Sequence, residues 1–139
     1  MTAHPDPRVR GIDHVVLTVQ DVDATVRFYV DVLALEPLEF AGGRRGVRAG
    51  DQKINLHQAG AEFDPHAARP TRGSGDLCLI VEADVDEVAA SLERRGIPVE
   101  VGPVDKVGAR APLRSIYIRD PDGNLVELAN EVEGGRLGA

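Results

Sequence analysis

The 139-residue chain contains an internal repeat. An apolar run over residues 11–19 is followed by Asp21-Val22-Asp23 and a helical pattern, and a second apolar run over residues 75–81 is followed by Asp84-Val85-Asp86 and another helical pattern. His14 thus stands in the first copy where Asp76 stands in the second. Because such a repeat is one supersecondary unit that buries its apolar face against a neighbour, we expect two similar modules in one folded unit.

Apolar spacing predicts one helix in each copy. Residues of the first copy that fall on one helical face are Val22, Val26, Tyr29, Val30 and Leu33, and those of the second are Val85, Val88, Ala89 and Leu92. Asp84 with Glu87 three residues later is typical of a capping pair, and Gly96 suits the end of the second helix.

Short strand-like segments follow each helix. They cover residues 38–40, 44–48 and 53–58 in the first copy, and residues 99–101, 113–119 and 125–130 in the second. Turn residues separate them, most clearly at Asp120–Asn124. The sequence therefore predicts a βαβββ unit twice, an α+β fold of paired modules.

These assignments also give the domain organisation. We expect a single domain over residues 9–132, with flexible tails on either side at 1–8 and 133–139. Within the domain we expect module 1 over about residues 11–58, a linker over 59–74 and module 2 over about 75–131.

Composition excludes several classes of protein. A net charge of −7 and an aromatic content of 4% argue against nucleic-acid binding, which needs a basic surface and stacking rings. The longest central apolar run, Leu77–Val81, is too short for a membrane span, and the polar N-terminus does not resemble a signal peptide, so we expect a cytoplasmic protein. Cys78 has no partner for an internal disulfide and is predicted to be a buried small apolar residue.

Polar side chains interrupt strands that are otherwise mostly apolar. They are His14, Asp76, Glu127, Asn55 and His57. Each alone could be a surface, turn or strand-end residue, but His14 matches Asp76 in the repeat and Asn55 matches Glu127. Since a buried charge needs a partner, these groups either compensate one another or share a cation.

Three segments together resemble the vicinal oxygen chelate superfamily, which contains glyoxalases, bleomycin-resistance proteins and extradiol dioxygenases. The segments are Ile12–Val19, Arg27-Phe28-Tyr29 and Ser115–Leu128, the last with the turn Asp120–Asn124 ahead of Glu127. The resemblance runs from about residue 11 to residue 130 and is greatest to a glyoxalase-domain subgroup of unsettled substrate. It implies paired βαβββ modules forming a curved mixed sheet around a divalent metal ion.

The resemblance implies a ligand set residue by residue. His14 matches the first-strand histidine and Glu127 the final-strand glutamate, while Asp76 stands where the family usually has a histidine. Asn55 falls nearest the optional fourth ligand and could instead contact substrate, and His57 on the same face could substitute as a ligand. Such a mixed nitrogen and oxygen site suits Mn²⁺, Fe²⁺, Ni²⁺, Zn²⁺ or Mg²⁺, and Glu127 is the catalytic candidate for moving a proton.

Substrate contacts are implied by the fosfomycin-resistance members of the family. Ser115 and Tyr117 match their Ser-x-Tyr pair, and Arg114 is a candidate anion anchor. Val107 and Ala111 stand where those enzymes have lysine and serine, which argues against fosfomycin as the substrate.

The function expected from the resemblance is a small metal-dependent, glyoxalase-like lyase or isomerase that binds a small-molecule substrate through its oxygen atoms. The alternatives are a metal-free protein that sequesters a small molecule, as bleomycin-resistance members do, and a metal-free acid–base pair of His14 with a carboxylate. A homodimer is expected, with the cleft closed either within one chain or by exchange between two chains.

Overall fold

The computed structural model describes residues 4–133 and confirms the two copies of βαβββ. Module 1 comprises β1 (His14–Val19), α1 (Val22–Asp31), β2 (Glu36–Phe40), β3 (Arg44–Ala49) and β4 (Gln52–Gln58). Module 2 comprises β5 (Asp76–Ile80), α2 (Val85–Arg94), β6 (Val101–Val107), β7 (Pro112–Arg119) and β8 (Leu125–Glu131). The α+β fold class predicted from the repeat is therefore confirmed.

Each module forms one four-stranded mixed sheet with the same strand order. The orders are β1-β4-β3-β2 and β5-β8-β7-β6, so β1 and β5 lie at equivalent sheet edges. β1 runs parallel to β4 with Val16 opposite Asn55, and β5 runs parallel to β8 with Cys78 opposite Glu127. The register therefore confirms that Asn55 and Glu127 occupy equivalent positions, as the sequence comparison predicted.

A common hydrophobic core joins the two modules. One cluster contains Leu17 and Val19 of β1 and Tyr29 of α1, together with residues of the second module, which are Val85, Ala89 and Leu92 of α2 and Val126 and Leu128 of β8. Since side chains alternate along a strand, the residues between these core positions lie on the opposite face of each sheet, which we call the open face. His14, Val16 and Asn55 lie on the open face of module 1, and Asp76, Cys78, Tyr117 and Glu127 on that of module 2.

Two local predictions are corrected by the structure. The strand predicted over residues 99–101 is β6, which extends to Val107, because a bulge between Val101 and Val104 accommodates Gly102-Pro103 at the sheet edge. Cys78 is exposed rather than buried, because Leu77 and Leu79 on either side of it pack against the core.

Other boundaries differ by a residue or two. α1 ends at Asp31, and Ala34 with its positive φ of 58° turns the chain toward β2. At α2, Asp84 caps the helix as predicted by accepting hydrogen bonds from the backbone N–H groups of Asp86 and Glu87. Residues 59–75 between the modules contain no helix or strand.

Each of the two α-helices in the described residues has ten residues, and no described helix has the length and apolarity needed to cross a membrane. Of the predicted tails, residues 4–8 have no regular secondary structure, whereas residues 1–3 and most of the predicted C-terminal tail lie outside the described residues.

Candidate functional site

The open face of module 2 gathers four reactive side chains. Glu127 on β8 stands beside Cys78 on β5 and opposite Tyr117 on β7. Desolvation, the hydrogen bond to Glu127 and the negative charges of Glu127 and Asp76 together raise the pKa of Tyr117 to about 12. Tyr117 therefore remains a phenol at neutral pH, with the Glu127 carboxylate beside it on the neighbouring strand.

Cys78 is protonated at neutral pH for the same reasons. Desolvation and the neighbouring Glu127 raise the pKa of the Cys78 thiol to about 11. Because the thiolate is the nucleophilic and metal-binding form, this environment does not favour Cys78 as a nucleophile.

A groove of about 520 Å³ lies over these side chains. Ile80, Val107 and Leu113 supply much of its apolar lining, and Tyr117 and Glu127 supply polar groups. Lys106 and Arg110 also line this groove, with Arg110 paired to Glu131 at 2.7 Å. An apolar cleft with a few convergent polar groups has the size and composition of a site for a small organic molecule.

The open face of module 1 carries the predicted histidine ligand. His14 is the first residue of β1, its side chain is 43% exposed, and its Nδ1 lies 2.8 Å from a carboxylate oxygen of Asp13. Asn55 lies on the same face, and its Oδ1 is buried without a hydrogen-bond partner in the described part of the chain. Both predicted residues are thus available for further contacts.

One chain does not bring the predicted metal ligands together. Within residues 4–133, no three His, Cys, Asp or Glu side chains are placed to hold a metal ion. Asp76 and Glu127 share the open face of module 2, whereas His14 lies on that of module 1. The donor set of one imidazole and two carboxylates fits a divalent cation chemically, but a single chain presents it in two halves.

His57 lies apart from His14. It stands opposite Thr18, four residues along β1 from His14, and packs edge-on against the Phe63 ring with 5.6 Å between the centroids. Burial, followed by the charge of Arg44, lowers the pKa of His57. The structure therefore places His57 with the linker and not with the predicted metal ligands.

Of the predicted substrate contacts, Arg114 is on the wrong side of the sheet. Its guanidinium forms a two-point ion pair with Asp86 of α2, with N–O distances of 3.0 and 3.2 Å. Ser115 is the next residue along β7, so its side chain lies on the opposite face from Arg114 and on the same face as Tyr117. Ser115 is fully buried, and its Oγ has no hydrogen-bond partner among the described residues.

The turn between β7 and β8 has a positioning function that the sequence reasoning missed. Asn124 is 1% exposed, and its side-chain oxygen accepts a hydrogen bond of 2.7 Å from the backbone N–H of Gly75, the residue before Asp76. Its Nδ2 donates to the buried Asp120 at 2.8 Å. The Asp-Pro-Asp-Gly-Asn motif, which the sequence identified as a turn and as part of the family resemblance, also fixes the beginning of β5 against the beginning of β8.

Comparison with protein families agrees with this architecture. Residues 11–128 match the model of the Glyoxalase/Bleomycin resistance protein/Dioxygenase superfamily. The chain belongs to this superfamily. It is 48% identical over 121 residues to virulence protein STM3117 of Salmonella typhimurium, and the match covers 87% of this chain and 84% of that protein. It is also 45% identical over 122 residues to glyoxalase domain-containing protein RDO1 of Mycosarcoma maydis, covering 88% and 69% of the two chains.

Solved structures of the superfamily have the same fold. The crystal structure of STM3117 superimposes with a TM-score of 0.86 at 47% identity, covering 89% of this chain and 98% of that one. Lactoylglutathione lyase from Agrobacterium tumefaciens gives a TM-score of 0.67 at 28% identity, covering 88% and 95% of the two chains. TnmS3, an antibiotic binding protein from Streptomyces sp. CB03234, gives 0.68 at 25% identity, covering 91% and 100%. An enzyme and a binding protein are thus both among the structural neighbours.

Proposed function

We propose that this protein is a divalent-metal-dependent, glyoxalase-like enzyme of lyase or isomerase type, with its site formed between two copies of the chain. The observation that carries the proposal is the placement of Glu127 in the wall of an apolar groove, with Asp76 on the same open face and His14 at the position in module 1 equivalent to that of Asp76. Each chain then supplies two carboxylates to one site and an imidazole to the other.

The sheet edges support the shared site. β1 and β5 are edge strands, so each has a row of backbone groups without a partner strand in the same sheet. Val15 and Val16 on β1 are 41% and 45% exposed, and Ile80 on β5 is 54% exposed. If β1 of one copy approaches β5 of the other, a two-fold dimer brings His14 and Asp76 together twice and covers these side chains.

The chemistry follows from the side chains present. A bound divalent ion would act as a Lewis acid on a substrate oxygen. Glu127 accepts a proton from the substrate carbon or returns it, and the phenol of Tyr117 orients this carboxylate by hydrogen bonding. The apolar lining of the groove excludes water from the substrate and strengthens these polar interactions.

A second candidate function is the metal-free sequestration of a small molecule. It is favoured by the large apolar share of the groove and by the absence of a complete ligand set within residues 4–133 of one chain. An aspartate at position 76 in place of the usual histidine is also compatible with it.

Metal analysis of protein purified without chelators distinguishes the two. The proposal predicts about one equivalent of a divalent ion per chain, because a two-fold dimer holds two equivalent sites. Glu127→Gln is expected to lose this metal, whereas Glu82→Gln, an exposed carboxylate just after β5, is expected to retain it. Less than about 0.1 equivalent, with no gain in melting temperature on adding Mn²⁺, Ni²⁺ or Zn²⁺, would remove the enzyme proposal and leave sequestration.

A further inference from the structure

A second cavity, separate from the groove of module 2, lies between the linker, module 1 and the turn between β7 and β8. We call it the linker pocket; it has a volume of about 240 Å³. Its polar lining comes from three places, which are Thr18 and His57 of the sheet, Asn124 of the β7–β8 turn, and the linker residues His66, Arg69, Thr71 and Ser74. His14, Asp76 and Glu127 do not line it.

The charge of the linker pocket is opposite to that of the whole protein. The chain has 23 acidic residues and a net charge of −7, yet none of the described residues lining this pocket is Asp or Glu. Arg69 forms no ion pair within residues 4–133. His66 has its Nδ1 3.2 Å from Asp64, so its other ring nitrogen is available. These groups favour an anion over a cation.

His57 indicates that a hydrogen-bonding partner is missing. The residue is 7% exposed and lines the pocket, and its Nδ1 is buried without a partner among the described residues. A buried polar atom of this kind costs free energy unless a ligand or a water molecule satisfies it. The pocket is therefore lined by a histidine whose Nδ1, buried beneath the pocket surface, has no hydrogen-bond partner among the described residues.

We propose that the linker pocket binds a small organic carboxylate. Arg69 presents a planar fork of donors that matches a carboxylate, and Thr18 supplies a hydroxyl group. Val16, Leu17, Pro65 and Pro70 also line the pocket and provide apolar contacts for a short carbon chain, which inorganic phosphate lacks. At about 30 Å³ per water molecule the volume corresponds to roughly eight waters, the size of a small dicarboxylic acid.

Calorimetric titration of the full chain with succinate, and separately with inorganic phosphate, tests the proposal. Succinate is expected to bind saturably and more tightly than phosphate. Arg69→Ala is expected to weaken succinate binding about tenfold or more, since it removes a charge-assisted hydrogen bond. Arg72→Ala is the matched control, because Arg72 belongs to the same linker but bonds Gln20 and does not line the pocket.

Four outcomes would overturn it: no saturable succinate binding, equal weakening by Arg69→Ala and Arg72→Ala, tighter binding of phosphate than of succinate, or loss of succinate binding in Glu127→Gln. The last result would locate the anion at the metal site instead. Retained binding in Glu127→Gln supports the pocket whether or not the metal proposal holds, so the two proposals fail separately. Thr18→Val, which keeps the side-chain volume, is expected to weaken binding without unfolding the chain.

Discussion

Asp120 is a buried carboxylate that ties the two modules together. It is 5% exposed and accepts hydrogen bonds from the Tyr29 hydroxyl at 2.9 Å and from the backbone and side-chain nitrogens of Asn124 at 2.9 and 2.8 Å. Several donors compensate the charge, which would otherwise be costly to bury. Since Tyr29 comes from α1 and Asn124 holds the start of β5, this one residue helps to align both open faces.

Tyr29→Phe is therefore expected to destabilise the protein by about 1.5–3 kcal/mol, the range for a hydrogen bond to a charged group. Urea unfolding at neutral pH measures this. The same variant tests a pH effect, because burial, followed by the charge of Asp120, raises the pKa of Tyr29. The folded chain keeps this proton while the unfolded chain loses it above about pH 10, so the free energy of unfolding of the wild type falls as the pH rises beyond that point.

In Tyr29→Phe the free energy of unfolding is expected to fall less steeply at alkaline pH. The slope is expected to be smaller by about 1.4 kcal/mol per pH unit, which corresponds to one proton fewer released on unfolding. Tyr117→Phe is expected to reduce the fall only between about pH 10 and pH 12, because the pKa of Tyr117 is raised less, and it keeps the Tyr29 contribution above that range. Equal stabilities of Tyr29→Phe and wild type, with superimposable pH profiles, would show that the buried pair contributes nothing.

At the scale of elements, α2 is fixed at its first turn. Asp84 accepts hydrogen bonds from the backbone N–H groups of Asp86 at 2.8 Å and Glu87 at 3.2 Å. Asn130 of β8 accepts a third, from Val85 at 2.9 Å, and donates to the carbonyl of Ala83 at 2.8 Å. The helix thus begins against the strand that carries Glu127.

Asp84→Ala is expected to lower the free energy of unfolding by about 1 kcal/mol, the usual effect of removing an N-cap. Glu87→Ala in the same turn is the matched control, with an expected change within about 0.5 kcal/mol. Chemical denaturation of both variants provides the comparison. An equal loss in the two would mean that the charge of the first turn, rather than the cap, stabilises α2.

The elements that the sequence predicted well are those with a local signal. The apolar periods of α1 and α2 and the alternation in β7 and β8 depend on neighbouring residues, and the repeat supplied the equivalence of Asn55 with Glu127. β6 was misjudged because Gly102-Pro103 interrupts its pattern. The alternation of side chains along β7 was enough to place Arg114 and Ser115 on opposite faces of the sheet. The burial of His57 could not be predicted, because it depends on Phe63, which lies in a linker without periodicity.

At the scale of the whole molecule, the two open faces lie on different modules that share one core. The family resemblance correctly gave the paired modules, but one chain's sequence does not state which copy supplies each side chain to a site. The proposed pairing of two chains uses the exposed edges β1 and β5, and these have the same local pattern whether or not a second copy covers them. The division of His14 from Asp76 and Glu127 is therefore the feature on which the account depends.

A heterodimer of His14→Ala with Glu127→Gln, purified by two different tags, tests this division most directly. Neither variant alone is expected to hold metal. If each site takes His14 from one copy and Glu127 from the other, the heterodimer has one intact site and one that lacks both ligands, and its metal content is expected to be about half that of the wild type. The shared site would be contradicted if the wild type binds metal and the heterodimer holds as little metal as the two single variants.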